Sequence, residues 1–289
     1  MKKVCGEQLG LKVSKVIDGA GKEVEIAGSV EVKGIRGTDK RCYLVDLQGL
    51  TPRDLNYPDQ EAHHTCLLRP ELLLLYQRTK NVEFATSKMA EFNKQLLAES
   101  EKEEQKELTD QIREEMVKKR QEENLKKLRE FERHLKEAPR FTFNTNVCKK
   151  GVIFAQSEID SGEIAKDEAL VKELGDFLKE HAVQKLVRDL QAVEGVPTDS
   201  ESLEQAFHAH GVNMRYIGQV SGVIADKELF HLKTLLEREA VLRSAKHLFN
   251  EYLREAPETH VSAVLAHLFN LLLAPFPLLS RIEDSSIAY

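Results

Sequence analysis

The chain has 289 residues, of which 41% are hydrophobic and 31% charged, and this composition excludes a disordered, collagen-like or disulfide-scaffold protein. Because 42 Lys and Arg face 48 Asp and Glu, the net charge of −6 gives no global positive field for nucleic acid, so RNA contact requires a local basic patch. Four scattered cysteines without a C-x-x-C pair, and an N-terminus without the apolar run of a signal peptide, favour a cytoplasmic protein.

Residues 1–80 are predicted to form a small α/β unit. Alternating runs with strand character are separated by turn residues, and the Asp18-Gly19 dipeptide indicates a hairpin between the first two runs. The segment Gly34 to Gly37 matches the GXXG loop of KH nucleic-acid-binding domains. That loop joins helices, however, so a hairpin turn is the better interpretation here. Its neighbours Lys33, Arg36, Lys40 and Arg41 form either a basic patch or, as the favoured alternative, a solvated hairpin tip.

Residues 81–139 are predicted to be a charged helical connector. Between Glu83 and Glu137 the sequence is dense in Lys, Glu, Gln and Arg and contains no Gly or Pro. The apolar stripe is lost between Ala98 and Glu107, so a true coiled coil is doubtful, and a hinge or a projecting arm is equally compatible. The oligomeric state stays open.

Residues 140–289 are predicted to be a mainly α-helical domain, because apolar residues recur there at spacings of three and four. The last helix, Val261 to Ala274, is apolar on nearly every side, which suits the centre of a bundle or an interface. The longer apolar stretch Val261 to Leu279 is interrupted by polar residues and prolines, so we expect no membrane insertion. The predicted fold class is α+β: a small N-terminal α/β unit with β-hairpins, a long charged helical arm and a C-terminal mainly α-helical domain.

Catalytic patterns are absent from the sequence. We find no nucleophile elbow, Walker loop or H-E-x-x-H pair, and therefore predict a protein that is not an enzyme. His63, His64 and Cys66 could be metal ligands, but no second cluster completes a tetrahedral site. A polar loop is the favoured interpretation, and we predict no metal and no cofactor.

The first candidate RNA-binding or partner-binding site is a helix-to-helix junction between His208 and Gly218. Its side chains offer several hydrogen-bond donors, and the ring of Tyr216 could stack on an unstacked base. The candidate residues are His208, His210, Asn213, Arg215 and Tyr216. A glycine directly after a helix suits a left-handed cap. The favoured alternative is that these polar residues bind neighbouring backbone and fix the junction.

The second candidate site is a basic stripe on the next helix. Arg243, Lys246, His247 and Arg254 fall within about 100° of one another at 3.6 residues per turn. Such a stripe can face RNA or an acidic partner. The alternative is a solvated helix face paired with Glu237, Glu239 and Glu251.

Taken in order, several segments resemble the clustered mitochondria (CLU) protein family. They are VKGIRGTDKRCYLVDLQGLTPRDLNY at Val32–Tyr57, LRPEL at Leu68–Leu72, FNTNV at Phe143–Val147, KLVRDL at Lys185–Leu190, HAHGVNMRYIGQV at His208–Val220, the basic run Arg243–Phe249, and AHLFNLLL at Ala266–Leu273. The resemblance identifies 1–80 as the end of a Clu-like domain and 140–289 as the family's central helical domain. Lys40 departs from the family, which usually has glycine there.

The resemblance implies a cytosolic, non-enzymatic protein that associates with messenger RNAs for nuclear-encoded mitochondrial proteins and keeps mitochondria dispersed. The expected partners are mRNA and proteins of the translation machinery. The alternative is a protein-interaction scaffold that docks to translation initiation factor 3 without touching RNA. Typical members are several times longer, so the sequence resembles the middle of such a protein.

Overall fold

The computed structural model describes residues 10–57, 66–103, 138–192, 196–224, 229–257 and 260–273. His63, His64 and most of the predicted charged connector lie outside these residues. The chain divides into two compact units, Met1–Ala182 and Val183–Tyr289, which we describe separately. The division between these units, after Ala182, differs from the domain boundaries expected from the sequence, near residues 80 and 140. Those boundaries stay a prediction.

Antiparallel hairpins supply the strands of the first unit. β1 (Val13–Ile17) pairs with β2 (Glu23–Ala27), and β3 (Lys33–Arg36) pairs with β4 (Cys42–Val45). A short 3₁₀ turn follows at Leu47–Leu50. The GXXG segment belongs to a hairpin, but Gly34, Ile35 and Arg36 lie in strand β3 and only Gly37 enters the predicted turn.

The turn between β1 and β2 is closed by Asp18. Its Oδ1 accepts hydrogen bonds from the backbone N–H groups of Ala20 and Lys22 at 2.9 and 2.8 Å. Gly21 has a φ of 79°, which a glycine adopts at little cost. The Asp-Gly signal therefore predicted this hairpin correctly.

The chain after Pro139 returns to the far side of β1. Lys12 donates its backbone N–H to the carbonyl oxygen of Phe143 at 3.0 Å, and Ala155 donates to Lys15 at 3.0 Å. Phe143 is 4% exposed and Ala155 is fully buried. Residues on both sides of the charged segment therefore share one core.

Helices complete the first unit. They are α1 (Pro70–Glu103), α2 (Gln156–Asp160), α3 (Glu163–Phe177) and a π-helical turn at Leu178–Ala182. α1 continues as one helix past residue 80 into the charged segment. Tyr76 on α1 is 1% exposed and meets Phe141 and Phe177 edge-on, with ring centroids 5.2 and 5.3 Å apart.

All regular secondary structure in the described residues of the second unit is helical. Its elements are α4 (Val183–Gln191), α5 (Ser200–Ala209), a 3₁₀ turn at Met214–Tyr216, α6 (Ile217–Val223), α7 (Phe230–Glu255) and α8 (Val261–Leu273). Its fully buried apolar side chains include Leu186, Leu203, Phe207, Leu232 and Leu236. The α+β class and the helical C-terminal part predicted from the sequence are confirmed.

The apolar helix α8 packs against the end of α7 and does not lie in the centre of a bundle of described helices. Val264 is 1% exposed, and His267 meets Tyr252 of α7 with ring centroids 5.4 Å apart. Leu265 and Phe269, in contrast, are 38% and 55% exposed. The interface alternative for this helix therefore stays open. None of the described helices combines the length and the hydropathy needed to cross a membrane.

Candidate nucleic-acid interface

The junction after α5 is fixed by its own backbone. Gly211 has a φ of 72° and donates its N–H to the carbonyl oxygen of His208 at 2.9 Å, while Val212 donates to Phe207 at 2.9 Å. This is the Schellman arrangement, which favours glycine because the backbone must be left-handed. The predicted left-handed cap is confirmed.

The three predicted site residues after this cap differ in their exposure. Arg215 is exposed. Asn213 is half-buried, and its carbonyl oxygen accepts the N–H of Tyr216 at 3.0 Å. Tyr216 is 0% exposed, so both faces of its ring are covered by protein. The stacking role expected of Tyr216 does not fit this structure, because burial of its large apolar surface makes the ring part of the core.

His210 lies between two oxygen acceptors. Its Nδ1 is 2.7 Å from the carbonyl oxygen of Ala206, and its Nε2 is 2.7 Å from Oδ2 of Asp189 on α4. Each ring nitrogen of His210 is thus within hydrogen-bond distance of an oxygen acceptor. Hydrogen bonds from Lys185 and His210 hold the pKa of Asp189 below its ordinary value. His210 is therefore occupied in linking α5 to α4.

Arg243 lies at the centre of a charged network between α7 and α5. Its Nε donates to Oε1 of Glu239 at 2.7 Å, and Nη2 donates to Oε2 of Glu204 at 2.9 Å. Oε1 of Glu204 is 3.8 Å from Nε2 of His208. The Glu239 side chain is only 9% exposed, so the guanidinium neutralises a buried carboxylate. The structure thus brings His208 and Arg243 together around Glu204. The pairing of Arg243 with Glu239 agrees with the alternative interpretation of the stripe, in which its basic residues pair with glutamates of the same helix.

Three of the four side chains of the predicted basic stripe are directed to solvent. Lys246, His247 and Arg254 are exposed, and none of their side chains has a hydrogen bond or ion pair with a described residue. At about 100° per residue they lie roughly −60°, 40° and 20° around the helix from Arg243. Lys246 and Arg254 are about 12 Å apart along the axis at 1.5 Å per residue. We call these three residues the α7 stripe.

The α7 stripe offers positive charge without the acid pairing that occupies Arg243 and His210. Lys is a flexible point charge, whereas Arg presents a planar fork of donors that matches phosphate oxygens. Glu251, also exposed, lies near His247 on the same helix and limits the size of the positive patch. Across the described residues, no group of three or more His, Cys, Asp or Glu is placed to hold a metal ion.

Sequence reasoning missed Glu204, which joins α5 to α7. The pairs Glu204–His208 and Glu239–Arg243 both have the i,i+4 spacing of helical ion pairs, so each half of the network was visible as a local signal. The link between Glu204 and Arg243, which are 39 residues apart, depends on how the two helices pack. No local pattern could have predicted it.

Two family descriptions match separate parts of the chain. Residues 1–57, which contain β1 to β4, match the family described as Clustered mitochondria. Residues 194–282, which contain α5 to α8 and both candidate sites, match the family described as Translation initiation factor eIF3 subunit 135.

Curated relatives cover both regions together. The Clustered mitochondria protein of Arabidopsis thaliana is 30% identical over 274 residues, which is 91% of this chain and 19% of the relative. The chain belongs to the clustered mitochondria protein family. The homolog of Aspergillus niger is 38% identical over 273 residues, covering 92% of this chain and 21% of the relative. That of Neosartorya fischeri is 36% identical, with 92% and 20% covered.

The chain therefore spans about a fifth of the length of these clustered mitochondria relatives. No solved structure matches the chain at a significant level.

Proposed function

We propose that this chain is an RNA-associated, non-enzymatic protein of the clustered mitochondria family. In this proposal it binds messenger RNAs of nuclear-encoded mitochondrial proteins in the cytosol and serves the intracellular distribution of mitochondria. The role in distribution is inferred from the names of the relatives. The RNA role is supported by one structural observation: the exposed side chains of the α7 stripe have no ion pair with a described residue.

The proposal assigns phosphate contact to Lys246 and Arg254, with His247 adding a donor and, when protonated, a charge. Arg215 is an exposed cation of the junction and is a further candidate for phosphate contact. His208, His210 and Arg243 act as positioning residues, since their polar atoms are engaged by Glu204, Asp189 and Glu239. Because the whole chain carries −6, contact with RNA is local and electrostatic, and therefore sensitive to salt.

The test compares two double variants that remove the same charge. Lys246→Ala with Arg254→Ala removes the lysine and the arginine of the α7 stripe. The matched control, Arg188→Ala with Arg238→Ala, removes two exposed arginines of the second unit that form no ion pair with a described residue. At 100° per residue Arg238 lies about 140° around α7 from Arg243, away from the stripe.

Binding to a fluorescent single-stranded oligouridylate is measured at several salt concentrations. Each phosphate contact with a single strand contributes about 0.7 to the slope of log affinity against log salt, so loss of two contacts lowers the slope by about 1.4. We expect this loss for the stripe variant and the wild-type slope for the control. Ultraviolet crosslinking in cells then identifies the bound messages. Equal slopes for both variants would refute the stripe as the RNA site.

A second candidate function is a protein scaffold that docks to translation initiation factor 3 without RNA. It is favoured by the apolar surface of α8, where Phe269 and Leu272 are 55% and 45% exposed, and by the burial of Tyr216. The match of residues 194–282 to a translation initiation factor subunit supports the same class of partner. Co-purification of that factor, unchanged by RNase and by moderate salt and without any oligouridylate binding, would favour this scaffold over the RNA proposal.

A further inference from the structure

The β3–β4 hairpin is largely exposed to solvent. Nearly every position of both strands is exposed, and each strand pairs only with the other in the part of the chain that the structure describes. Ile35 and Tyr43, which are direct cross-strand partners, are 50% and 46% exposed, and Leu44 is 46% exposed. Side chains alternate between the two faces of a strand, so Leu44 lies on the face opposite Ile35 and Tyr43. Apolar side chains therefore reach the solvent on both faces.

The tip of this hairpin is nevertheless braced. Gly37 donates its N–H to the carbonyl oxygen of Arg41 at 2.8 Å, and Asp39 Oδ1 accepts the N–H of Arg41 at 3.1 Å. The hydroxyl of Tyr43 donates to Oδ2 of Asp39. A Cβ on Gly37 would lie 2.8 Å from Cε2 of Tyr43, so the ring lies close against the glycine. An isolated two-stranded hairpin is marginal in water, and these contacts hold its shape without a core.

The hairpin also carries more basic side chains than its own carboxylates can pair with. Lys33 Nζ is 2.8 Å from Oδ2 of Asp46, and Arg41 Nε is 3.8 Å from Oδ2 of Asp39. Arg36 and Lys40 are exposed and have no ion pair with a described residue. Four cations against two carboxylates leave a surplus of two positive charges beside the exposed apolar pair.

We propose that the β3–β4 hairpin is a docking surface for an acidic, extended segment of a partner polypeptide. Both outer edges of the hairpin carry backbone donors and acceptors that a further strand can pair with. Apolar side chains of that strand would cover Ile35 and Tyr43, and its carboxylates would neutralise Arg36 and Lys40. The surface lies in the first unit and does not depend on the α7 stripe.

A polypeptide fits this surface better than RNA. The Asp39 carboxylate accepts a hydrogen bond from the Tyr43 hydroxyl, which keeps the pKa of Asp39 below its ordinary value, so a negative charge lies at the polar end of the ring. A base stacked on that ring would bring its own phosphate close to this carboxylate, whereas a strand can place an apolar side chain on the ring and its carboxylates at Arg36 and Lys40. Apolar exposure on both faces and open strand edges, in turn, are features that a β-strand can use and a nucleotide backbone cannot.

The experiment uses the full chain and a fluorescein-labelled peptide with the alternating sequence Glu-Val-Glu-Val-Glu-Val-Glu. Anisotropy titrations compare wild type with Arg36→Gln plus Lys40→Asn. Asparagine at position 40 tolerates the left-handed backbone there. The matched control, Lys15→Gln plus Lys22→Asn, removes two exposed lysines from the β1–β2 hairpin.

We expect saturable binding by wild type and by the control, and roughly tenfold weaker binding by the Arg36 and Lys40 variant at low salt. Ile35→Thr keeps a β-branched, exposed residue but loses apolar contact, so we also expect it to weaken binding. Far-UV circular dichroism confirms that each variant is folded. A peptide with Lys in place of Glu should not bind.

Three results would overturn the proposal. The first is no binding of the acidic peptide by wild type. The second is equal weakening by the hairpin and control variants, which would mean that the peptide senses only diffuse charge. The third is an oligouridylate that competes at the hairpin and loses affinity in the same variants, which would make this surface an RNA site.

Discussion

Lys40 carries backbone strain at the tip of the exposed hairpin. Its φ is 65°, in the left-handed region where a side chain other than that of glycine is unfavourable. It is the last loop residue before Arg41, whose carbonyl oxygen receives the N–H of Gly37. Hairpins with three loop residues commonly place a left-handed residue there. The glycine that the family resemblance led us to expect at position 40 thus has a physical reason.

We predict that Lys40→Gly stabilises the hairpin locally. Relief of the strain is worth about 0.5 to 1 kcal/mol, which corresponds to about 2- to 5-fold slower hydrogen exchange of the Gly37 amide. Exchange is the suitable measurement because an uncovered hairpin opens without global unfolding. Gly37→Ala is the opposite control, since its Cβ would meet Oδ1 of Asp39 at 2.5 Å and should loosen the tip. Unchanged Gly37 exchange in Lys40→Gly would contradict the prediction.

Helix α7 carries basic side chains of two kinds, and substitution separates them. Arg243 neutralises Glu239, which is largely buried, whereas Lys246 has no ion pair with a described residue. We predict that Arg243→Met lowers the free energy of unfolding by about 1 to 3 kcal/mol, because it leaves a buried carboxylate unpaired. Lys246→Met should change it by less than about 0.5 kcal/mol. Urea unfolding measures both.

A compensating variant tests the cause of the Arg243 effect. Glu239→Gln removes the buried charge, so Arg243→Met should cost less in that background than in wild type. Equal cost in both backgrounds would mean that Arg243 stabilises the helix through its alkyl chain or through Glu204. Either result matters for function. If Arg243 is needed for stability, weaker RNA binding by an Arg243 variant does not by itself show that Arg243 contacts RNA.

Over the whole molecule, the correctly predicted features are those encoded by neighbouring residues. Asp18 with Gly19, and Gly211 after α5, each determine a local backbone shape, so the sequence predicted a hairpin and a helix cap. Burial of Tyr216 and pairing of Glu204 with Arg243 depend on tertiary packing. The sequence therefore predicted which residue types belong to the candidate site. It did not predict which of those residues face solvent.

Carboxylates held by cations or by hydrogen-bond donors also set how the stability of the whole chain responds to acid. In the first unit Lys12 Nζ lies 3.0 Å from Oε2 of Glu163 and 2.6 Å from Oδ1 of Asp167, which is 6% exposed. Hydrogen bonds from Lys166 and Lys12 lower the pKa of Glu163 to about 2. In the second unit hydrogen bonds from Ser202 lower the pKa of Asp199. Ionised carboxylates are thus favoured by the folded state of both units.

We predict an acid limb of stability whose slope depends on Glu163. Because its folded pKa of about 2 lies below the ordinary 4.5, its contribution is complete above pH 4.5 and is lost as the pH falls toward 2. The urea midpoint of wild type should therefore fall over that range. Glu163→Gln should have a lower midpoint at neutral pH and a shallower acid limb. Glu168→Gln, which changes an exposed glutamate of α3, is the control and should keep the wild-type slope. Parallel limbs for all three proteins would show that the Lys12 and Lys166 contacts do not persist in solution.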